Sequence, residues 1–237
     1  MPSQNVHVGV TLRYPKPAKP TLPILDGMPN FHHATRDNRP GAAMVILESG
    51  INASAEVAAP DGRRRPAVLI RSSPAKAGTE TTPWQDIIDL EAGTLTYFGD
   101  HKPATPGPLG STKGNAALEA IRGDYFSSDP ARRLAAPPLL VFVTTPWIDR
   151  DLRVRTKGAV RFLGPAALEE MTRIRAVDDN TGAEYPNYRT VLRLLELIES
   201  GEPIDWRWIN ARKDPRLGLD ESVEHEPGSW QSWRYRA

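Results

Sequence analysis

The sequence contains no cysteine, so disulfide bonds and thiolate metal sites are excluded. It also lacks an apolar run long enough to span a membrane, and its first residues do not have the layout of a signal peptide. The net charge is only +1, so the overall balance gives no sign of a nucleic-acid binder. From these absences we expect a cytoplasmic protein with no metal ion and no cofactor.

What the sequence does have is proline and glycine. Its 237 residues include 23 prolines and 18 glycines, which divide the chain into short elements. The hydrophobic content of 39% is enough for a buried core, and the length suits one large domain or two small ones. A β-rich or mixed fold is therefore favoured over a helical one.

Apolar runs bounded by turn residues predict five strands. They cover residues 42–49, 66–73, 94–99, 138–145 and 158–164. Helices are predicted at 114–126, with Asn115 as the capping residue, and at 164–174, with Pro165 at the helix start. The run YRTVLRLLELIES (188–200) fits a helix or a doubly buried strand equally well.

The chain divides into three parts by composition. Residues 1–40 are proline-rich and are expected to be extended or irregular, and residues 41–200 carry the predicted strands. Residues 201–237 hold four of the six tryptophans and are expected to pack on the β-rich part.

The stretch TTPWQDIIDLEAGTLTYFGD (81–100) admits two interpretations. It is either a hairpin with a buried Tyr97–Phe98 pair, or a binding pocket built from Trp84, Asp86 and Tyr97. Two aromatic faces can sandwich a nucleobase, and a carboxylate accepts a hydrogen bond from the exocyclic amine of cytosine but finds no donor on thymine. Spacing alone leaves both interpretations open.

No convincing catalytic constellation is present. The serine pairs lie outside any nucleophile-elbow pattern, and the glycine-rich loop GDHKPATPGPLGSTKGN lacks the glycine-to-lysine spacing of a Walker loop. That loop is better interpreted as a mobile segment whose Lys102 and Lys113 can reach phosphates.

Several separated motifs, in order, carry a family resemblance. The segments RPAVLIRSSPAKAG, TPWQDIIDLEAGTLTYFGDHK, VRFLG, DWRWINARKDPRL and PGSWQSW span roughly Arg65 to Trp233. Together they resemble the N-terminal DNA-recognition domain of the AspBHI restriction endonuclease group, whose members cut near modified cytosine.

The resemblance implies an α+β, SRA-like (PUA-like) fold: a curved β-sheet or barrel flanked by helices that flips 5-methylcytosine out of duplex DNA. It implies that Asp86 reads the base, that Tyr97 stacks on it, and that Trp84 is a second stacking residue. Phe98 stands where SRA domains often have a threonine, and the run 188–200 would be a strand.

From the resemblance we expect a methylation-dependent binder of double-stranded DNA, located in the cytoplasm with the nucleoid. The sequence ends at Ala237, after the matching segment, so recognition without cleavage is expected. The alternatives are a modified-DNA-dependent restriction endonuclease or its recognition subunit, and a PUA-like RNA-binding module.

Short basic stretches supply the candidate phosphate contacts, although such runs also occur as solvated faces. These contacts are Arg63, Arg64, Arg65, Arg71, Lys76, Lys102, Lys113, Arg155 and Lys157.

Overall fold

The computed structural model describes residues 4–80, 82–178, 181–195 and 203–236. In chain order the strands are β1 (Asn5–His7), β2 (Thr11–Arg13), β3 (Ile24–Leu25), β4 (Met28–Pro29), β5 (Ile51–Ala53), β6 (Val57–Ala59), β7 (Gly62–Arg64), β8 (Val68–Ser72), β9 (Ile87–Asp89), β10 (Thr94–Phe98), β11 (Leu139–Thr144), β12 (Trp147–Ile148), β13 (Val154–Arg155), β14 (Ala159–Val177), β15 (Glu184–Leu194) and β16 (Pro203–Asp205). The helices are α1 (Phe31–Ala34), α2 (Lys113–Tyr125), α3 (Pro130–Ala135), α4 (Arg207–Arg212) and α5 (Gly228–Arg234). In this part of the chain no helix combines the length and the apolarity needed to cross a bilayer.

One large sheet organises the molecule. Its strand order is β5-β8-β11-β14-β15-β10-β9, and β2 pairs with the first residues of β14. The β8–β11 pair is parallel, and the other neighbours in the sheet are antiparallel. Helix α2 packs against β5 and β14. This sheet with flanking helices confirms the predicted α+β class.

The sheet is strongly curved. In a flat sheet β8 and β10, which are separated by three strands, would lie about 19 Å apart. Instead, the Ser72 hydroxyl at the end of β8 donates to the Asp86 carboxylate, which also accepts from the backbone of β10. The Tyr97 hydroxyl on β10 reaches the backbone of Gly50, just before β5. The two ends of the sheet therefore meet, as expected for the predicted barrel-like curvature.

Four predicted strands are confirmed as β8, β10, β11 and the start of β14, whereas the strand predicted at 42–49 is wrong. That segment is irregular, because side chains bind carbonyl groups that a neighbouring strand would otherwise use. Arg71 donates to the carbonyls of Leu47 and Glu48, and Lys213 donates to that of Ala43.

The helix predicted at 164–174 is also wrong, because these residues form the middle of β14. Residues 164–166 pair with β11, and residues 166–168 and 170–174 pair with β15, so strand pairing overrides the helix propensity of the Ala-Leu-Glu sequence. Pro165 is tolerated in this central strand because it adjoins a register shift, where Gly164 adopts a φ of 115°. The ambiguous run is a strand as far as Leu194, and residues 196–200 lie outside the described residues.

Helix α2 confirms the helix predicted at 114–126, but its N-cap is Thr112 and not Asn115. Asn115 is buried in the first turn, where its side-chain oxygen accepts from the backbone amide of Asp100. The Asp100 carboxylate accepts in turn from the amides of Gly114 and Asn115, each at 3.0 Å. A carboxylate from outside the helix therefore satisfies the free N–H groups of the first turn.

Both ends of the chain join one hydrophobic core with the sheet. In the N-terminal segment β1 pairs with β16, β2 joins the main sheet and Phe31 is fully buried, so this segment is not a free arm. In the C-terminal segment Trp206, Trp208 and Trp230 are fully buried. These three side chains belong to the same hydrophobic core as the residues of the main sheet.

Candidate nucleic-acid interface

The candidate site begins with Asp86, where the β9–β10 ladder stops. The last ladder pair joins Ile87 to Thr96, and beyond it the Asp86 side chain takes the place of a strand partner. One carboxylate oxygen accepts from the Phe98 amide at 3.2 Å, and the other accepts from the Ser72 hydroxyl at 2.7 Å. Both donors are electrically neutral.

Burial raises the pKa of Asp86 from 3.8 to about 6, although the hydrogen bonds from Ser72 and Phe98 favour the charged form. A half-buried carboxylate without a cation among its hydrogen-bond donors is costly to the fold. Such perturbed carboxylates are concentrated at functional sites, where a ligand supplies the missing donor.

The aromatic residues of the stretch occupy different environments. Tyr97 points into the core with 4% of its surface exposed, and burial together with the charge of Asp86 raises its pKa well above the usual value. Phe98, the next residue of β10, points to the opposite face and is half-buried, as is Trp84. Tyr97 is thus a core residue, as in the hairpin interpretation, while Phe98 and Trp84 are partly accessible, and their part in a binding pocket stays a prediction.

Tyr97 and Gly50 are fitted closely to each other. A Cβ atom on Gly50 would lie 2.4 Å from the Tyr97 hydroxyl oxygen, which is closer than real contacts allow. Because Gly50 has no side chain, the Tyr97 hydroxyl can pack against its backbone at the point where the two ends of the curved sheet meet.

A cluster of cations forms where several connections of the main sheet come together. Burial lowers the pKa of Lys76, and the charges of Arg71, Lys157, Lys102 and Lys16 lower it further. Lys76 follows β8, Lys102 follows β10, and Lys157 precedes β14, so separate connections of the sheet bring these side chains together. We call Lys16, Lys76, Lys102 and Lys157 the lysine cluster. Clustered cations of this kind favour the binding of phosphates.

Arg64 does not fit the predicted phosphate contact. Its side chain is buried and donates to the backbone carbonyls of Arg212 and Asp214, each at 2.8 Å. Arg212 is itself fully buried, and it donates to the carbonyls of Pro66 and Ala136. Burial lowers the pKa of Arg212 to about 10. The hydrogen bonds of these two arginines hold the C-terminal segment against the residues that precede β8.

Three other predicted cations already face carboxylates. Arg63 and Arg65 both lie near Glu56, at 3.6 and 3.0 Å, and Arg155 lies 2.6 Å from Asp149. Their contribution to phosphate binding stays a prediction, and it is reduced by these local pairs.

Arg71 and Lys113 differ from each other. The Arg71 guanidinium donates to two carbonyls in the 42–49 segment, and burial lowers its pKa. The Arg71 guanidinium therefore adds positive charge to the site, while its two terminal nitrogens are engaged with backbone carbonyls. Lys113 is exposed at the first residue of α2 and keeps its predicted role.

Sequence reasoning missed two residues of the site, Ser72 and Lys16. Ser72 belongs to a serine pair that fits no catalytic pattern, and its contact with Asp86 depends on the curvature of the whole sheet. Lys16 lies in the proline-rich segment, far from the other lysines in the chain, so no local signal indicates its position. Within the described ranges no three His, Asp or Glu side chains form a cluster that could hold a metal ion.

Comparison with known proteins identifies a family. Residues 40–236 match the family model described as restriction endonuclease AspBHI N-terminal. The structure of the MspJI restriction endonuclease in complex with a 27-mer oligonucleotide matches with a TM-score of 0.86 and 40% identity, over 98% of this chain and 52% of that one. The chain thus spans about half the length of MspJI. A comparison with curated proteins gave no match.

Two more distant structures show the same fold. The DNA recognition domain of the cytosine modification-dependent restriction endonuclease LpnPI has a TM-score of 0.60 and 19% identity, over 97% of this chain and 87% of that one. The DNA modification-dependent restriction endonuclease AspBHI has a TM-score of 0.57 and 21% identity, over 81% of this chain and 43% of that one. With the family model covering most of its length, the chain belongs to the restriction endonuclease AspBHI N-terminal family.

Proposed function

We propose that this chain recognises modified cytosine in double-stranded DNA by drawing the base out of the duplex and holding its Watson–Crick edge at Asp86. The observation that carries the proposal is the Asp86 carboxylate, which is half-buried, has two neutral hydrogen-bond donors and has a pKa raised by burial. Family membership supports the choice of DNA, since MspJI is described in complex with an oligonucleotide and LpnPI as cytosine modification-dependent.

The chemistry of Asp86 suits a cytosine base. A carboxylate has about four acceptor sites, and the two donors Ser72 and Phe98 leave room for a further one. The N4 amine of cytosine offers a donor, whereas thymine presents an acceptor at the same position. Selection for cytosine over thymine follows, even when both carry a methyl group.

The proposed pocket uses the half-buried aromatic side chains. Trp84 and Phe98 are the candidates to flank an incoming base, whereas Tyr97 is a core residue on the opposite face of β10 from Phe98. Each stacking contact contributes about 1–3 kcal/mol, which offsets the few kcal/mol needed to unpair and unstack a base. Burying the methyl group adds only about 0.8 kcal/mol, so we expect a modest preference for methylated over plain cytosine.

The lysine cluster would position the duplex without reading its sequence. Lys16, Lys102 and Lys157 lie close enough to Lys76 to lower its pKa, and such a group of cations suits contacts with a phosphate backbone. Binding should therefore weaken as salt is raised. A cytoplasmic, nucleoid-associated location stays a prediction.

The test is a gel-shift series on matched duplexes with and without a single 5-methylcytosine. Asp86→Ala should abolish the methyl preference and leave most of the general affinity. Asp89→Ala is the matched control, because Asp89 lies three residues away and is exposed. If Asp86→Ala prefers the methylated duplex as strongly as the unchanged protein does, Asp86 does not read the base.

Two further assays separate the alternatives. Incubating methylated plasmid with the protein and magnesium or manganese tests for nuclease activity, and nicking would contradict a purely binding role. Competition between single-stranded RNA and the methylated duplex tests for an RNA-binding module.

A further inference from the structure

The hairpin of β12 and β13 ends in a leucine that lies outside the core and has an unusual backbone. Leu152 is 85% exposed, the largest exposed fraction among the large apolar side chains that the structure describes. Its φ is 59°, in the left-handed region that side chains other than glycine disfavour. An exposed apolar side chain on a strained backbone is unfavourable for the isolated protein. Such a residue at a loop tip indicates contact with another molecule.

The tip is held in a fixed shape by Asp149. Its carboxylate accepts from the amides of Asp151 and Arg153, both at 2.9 Å, and from the Arg155 guanidinium at 2.6 Å. The Leu152 amide donates to the Asp149 carbonyl at 3.0 Å. The leucine is therefore presented by a preorganised loop.

The base of the hairpin is anchored to the main sheet. The Trp147 indole donates to the Lys157 carbonyl at 2.8 Å, and the Arg13 guanidinium lies 3.9 Å from the centre of the Trp147 ring. Arg13 belongs to β2, which pairs with β14. Lys157 also belongs to the lysine cluster, so the hairpin adjoins the proposed phosphate-binding surface.

Cations surround the apolar tip. The Arg150 side chain is 86% exposed and lies 3.6 Å from Asp26, the Arg155 side chain is 48% exposed and lies 2.6 Å from Asp149, and Arg153 is exposed. These three arginines outnumber the two carboxylates of Asp149 and Asp151 at the tip, and a single leucine is too small an apolar surface to hold a protein on a bilayer. Phosphates for the cations and stacked bases for the leucine are found together on duplex DNA.

We propose that Leu152 is an apolar wedge that enters the base stack of the bound duplex and kinks it, while the neighbouring arginines contact the flanking phosphates. The inference rests on the proposed function, because it assumes that the ligand is duplex DNA. It adds an element that distorts the DNA, separate from the Asp86 pocket that reads the base.

The experiment uses the full chain and a short duplex that contains one 5-methylcytosine and carries a fluorophore at each end. Fluorescence anisotropy gives the affinity, and energy transfer between the ends reports the kink. Leu152→Ala should lower the affinity about tenfold and abolish the change in energy transfer. Leu152→Gly, which suits the left-handed backbone, should do the same, so that misfolding of the loop is separated from loss of the side chain. Ile148→Ala is the control, because Ile148 is 63% exposed on the same hairpin, and it should behave as the unchanged protein does.

Three results would overturn the wedge: Leu152 variants that bind and kink the duplex normally, an equal loss in Ile148→Ala, or Leu152-dependent binding to phosphatidylserine vesicles with no effect on DNA. Failure of the proposed function is a different result. In that case the unchanged protein binds methylated and plain duplexes equally, whatever residue stands at position 152.

Discussion

Replacing Asp86 by asparagine should make the protein more stable at neutral pH while removing the proposed recognition of modified cytosine. The pKa of Asp86 rises from 3.8 to about 6 on folding, a shift of about 2 units, and each unit corresponds to about 1.4 kcal/mol. The ionised carboxylate therefore costs the fold about 3 kcal/mol above pH 6. Asparagine keeps an acceptor for the Phe98 amide and offers its own N–H to the Ser72 hydroxyl, so roughly 1 kcal/mol of hydrogen bonding is lost. The net gain is about 2 kcal/mol, or about 4–8 °C in Tm.

The raised pKa of Asp86 also determines how the stability difference between the two proteins changes with pH. Since the folded protein binds the Asp86 proton more tightly than the unfolded chain does, the cost is absent below pH 3.8 and fully developed above about pH 6. Thermal or urea unfolding of both proteins from pH 4 to pH 8 should show the stability difference growing across that window. Asp89→Asn, at an exposed carboxylate, is the control. An Asp86→Asn protein that is less stable at pH 7.5, or a difference that does not change with pH, would refute the reasoning.

Two further predictions concern the neighbours of this site. Lys76→Ala should reduce the slope of log affinity against log salt by about 1, as expected for one lost phosphate contact, whereas Arg63→Ala should change it less because Arg63 faces Glu56. A titration of anisotropy at several salt concentrations measures both slopes, and equal slopes would remove Lys76 from the interface. Gly50→Ala should destabilise the fold by about 1–3 kcal/mol, since its Cβ would lie 2.4 Å from the Tyr97 hydroxyl oxygen. Thermal unfolding checks this, and adding Tyr97→Phe should recover part of the loss; if Gly50→Ala is harmless, the close packing of this pair is wrong.

The strands were predictable wherever a dense apolar run pairs with its neighbours, as at β8 and β11. The segment 42–49 misled the prediction, because Val45 and Leu47 are buried and Ile46 is exposed, as in a strand. Its carbonyls are bound by Arg71 and Lys213, contacts made by residues distant in sequence that no local pattern contains. The helix expected in β14 failed for the same reason, since its propensity is local and its two strand partners are not.

The site divides along the same line. Its family followed from the order of motifs in the sequence, because a family resemblance carries information about the whole fold, and the role of Asp86 stays a prediction. Its surroundings did not follow, because Ser72 and Lys16 reach the site only when the sheet curves and the N-terminal segment packs. Arg64 shows the opposite error, since a basic triplet in the sequence does not reveal which arginine faces inward.

Two side chains, those of Asp86 and Leu152, lower the stability of the fold and are not needed to form it. A carboxylate at position 86 is less favourable there than an amide, and a leucine at position 152 is less favourable than a glycine, which adopts a φ of 59° without strain. Neither side chain is needed to fill the core. Asp86 binds Ser72 at the end of β8, the strand that Lys76 follows, and the hairpin that carries Leu152 binds the Lys157 carbonyl through Trp147. A duplex bound to the lysines would offset both costs, by giving the carboxylate the amine of a base and the leucine a base to contact. For this reason we attribute both features to DNA recognition and not to stability.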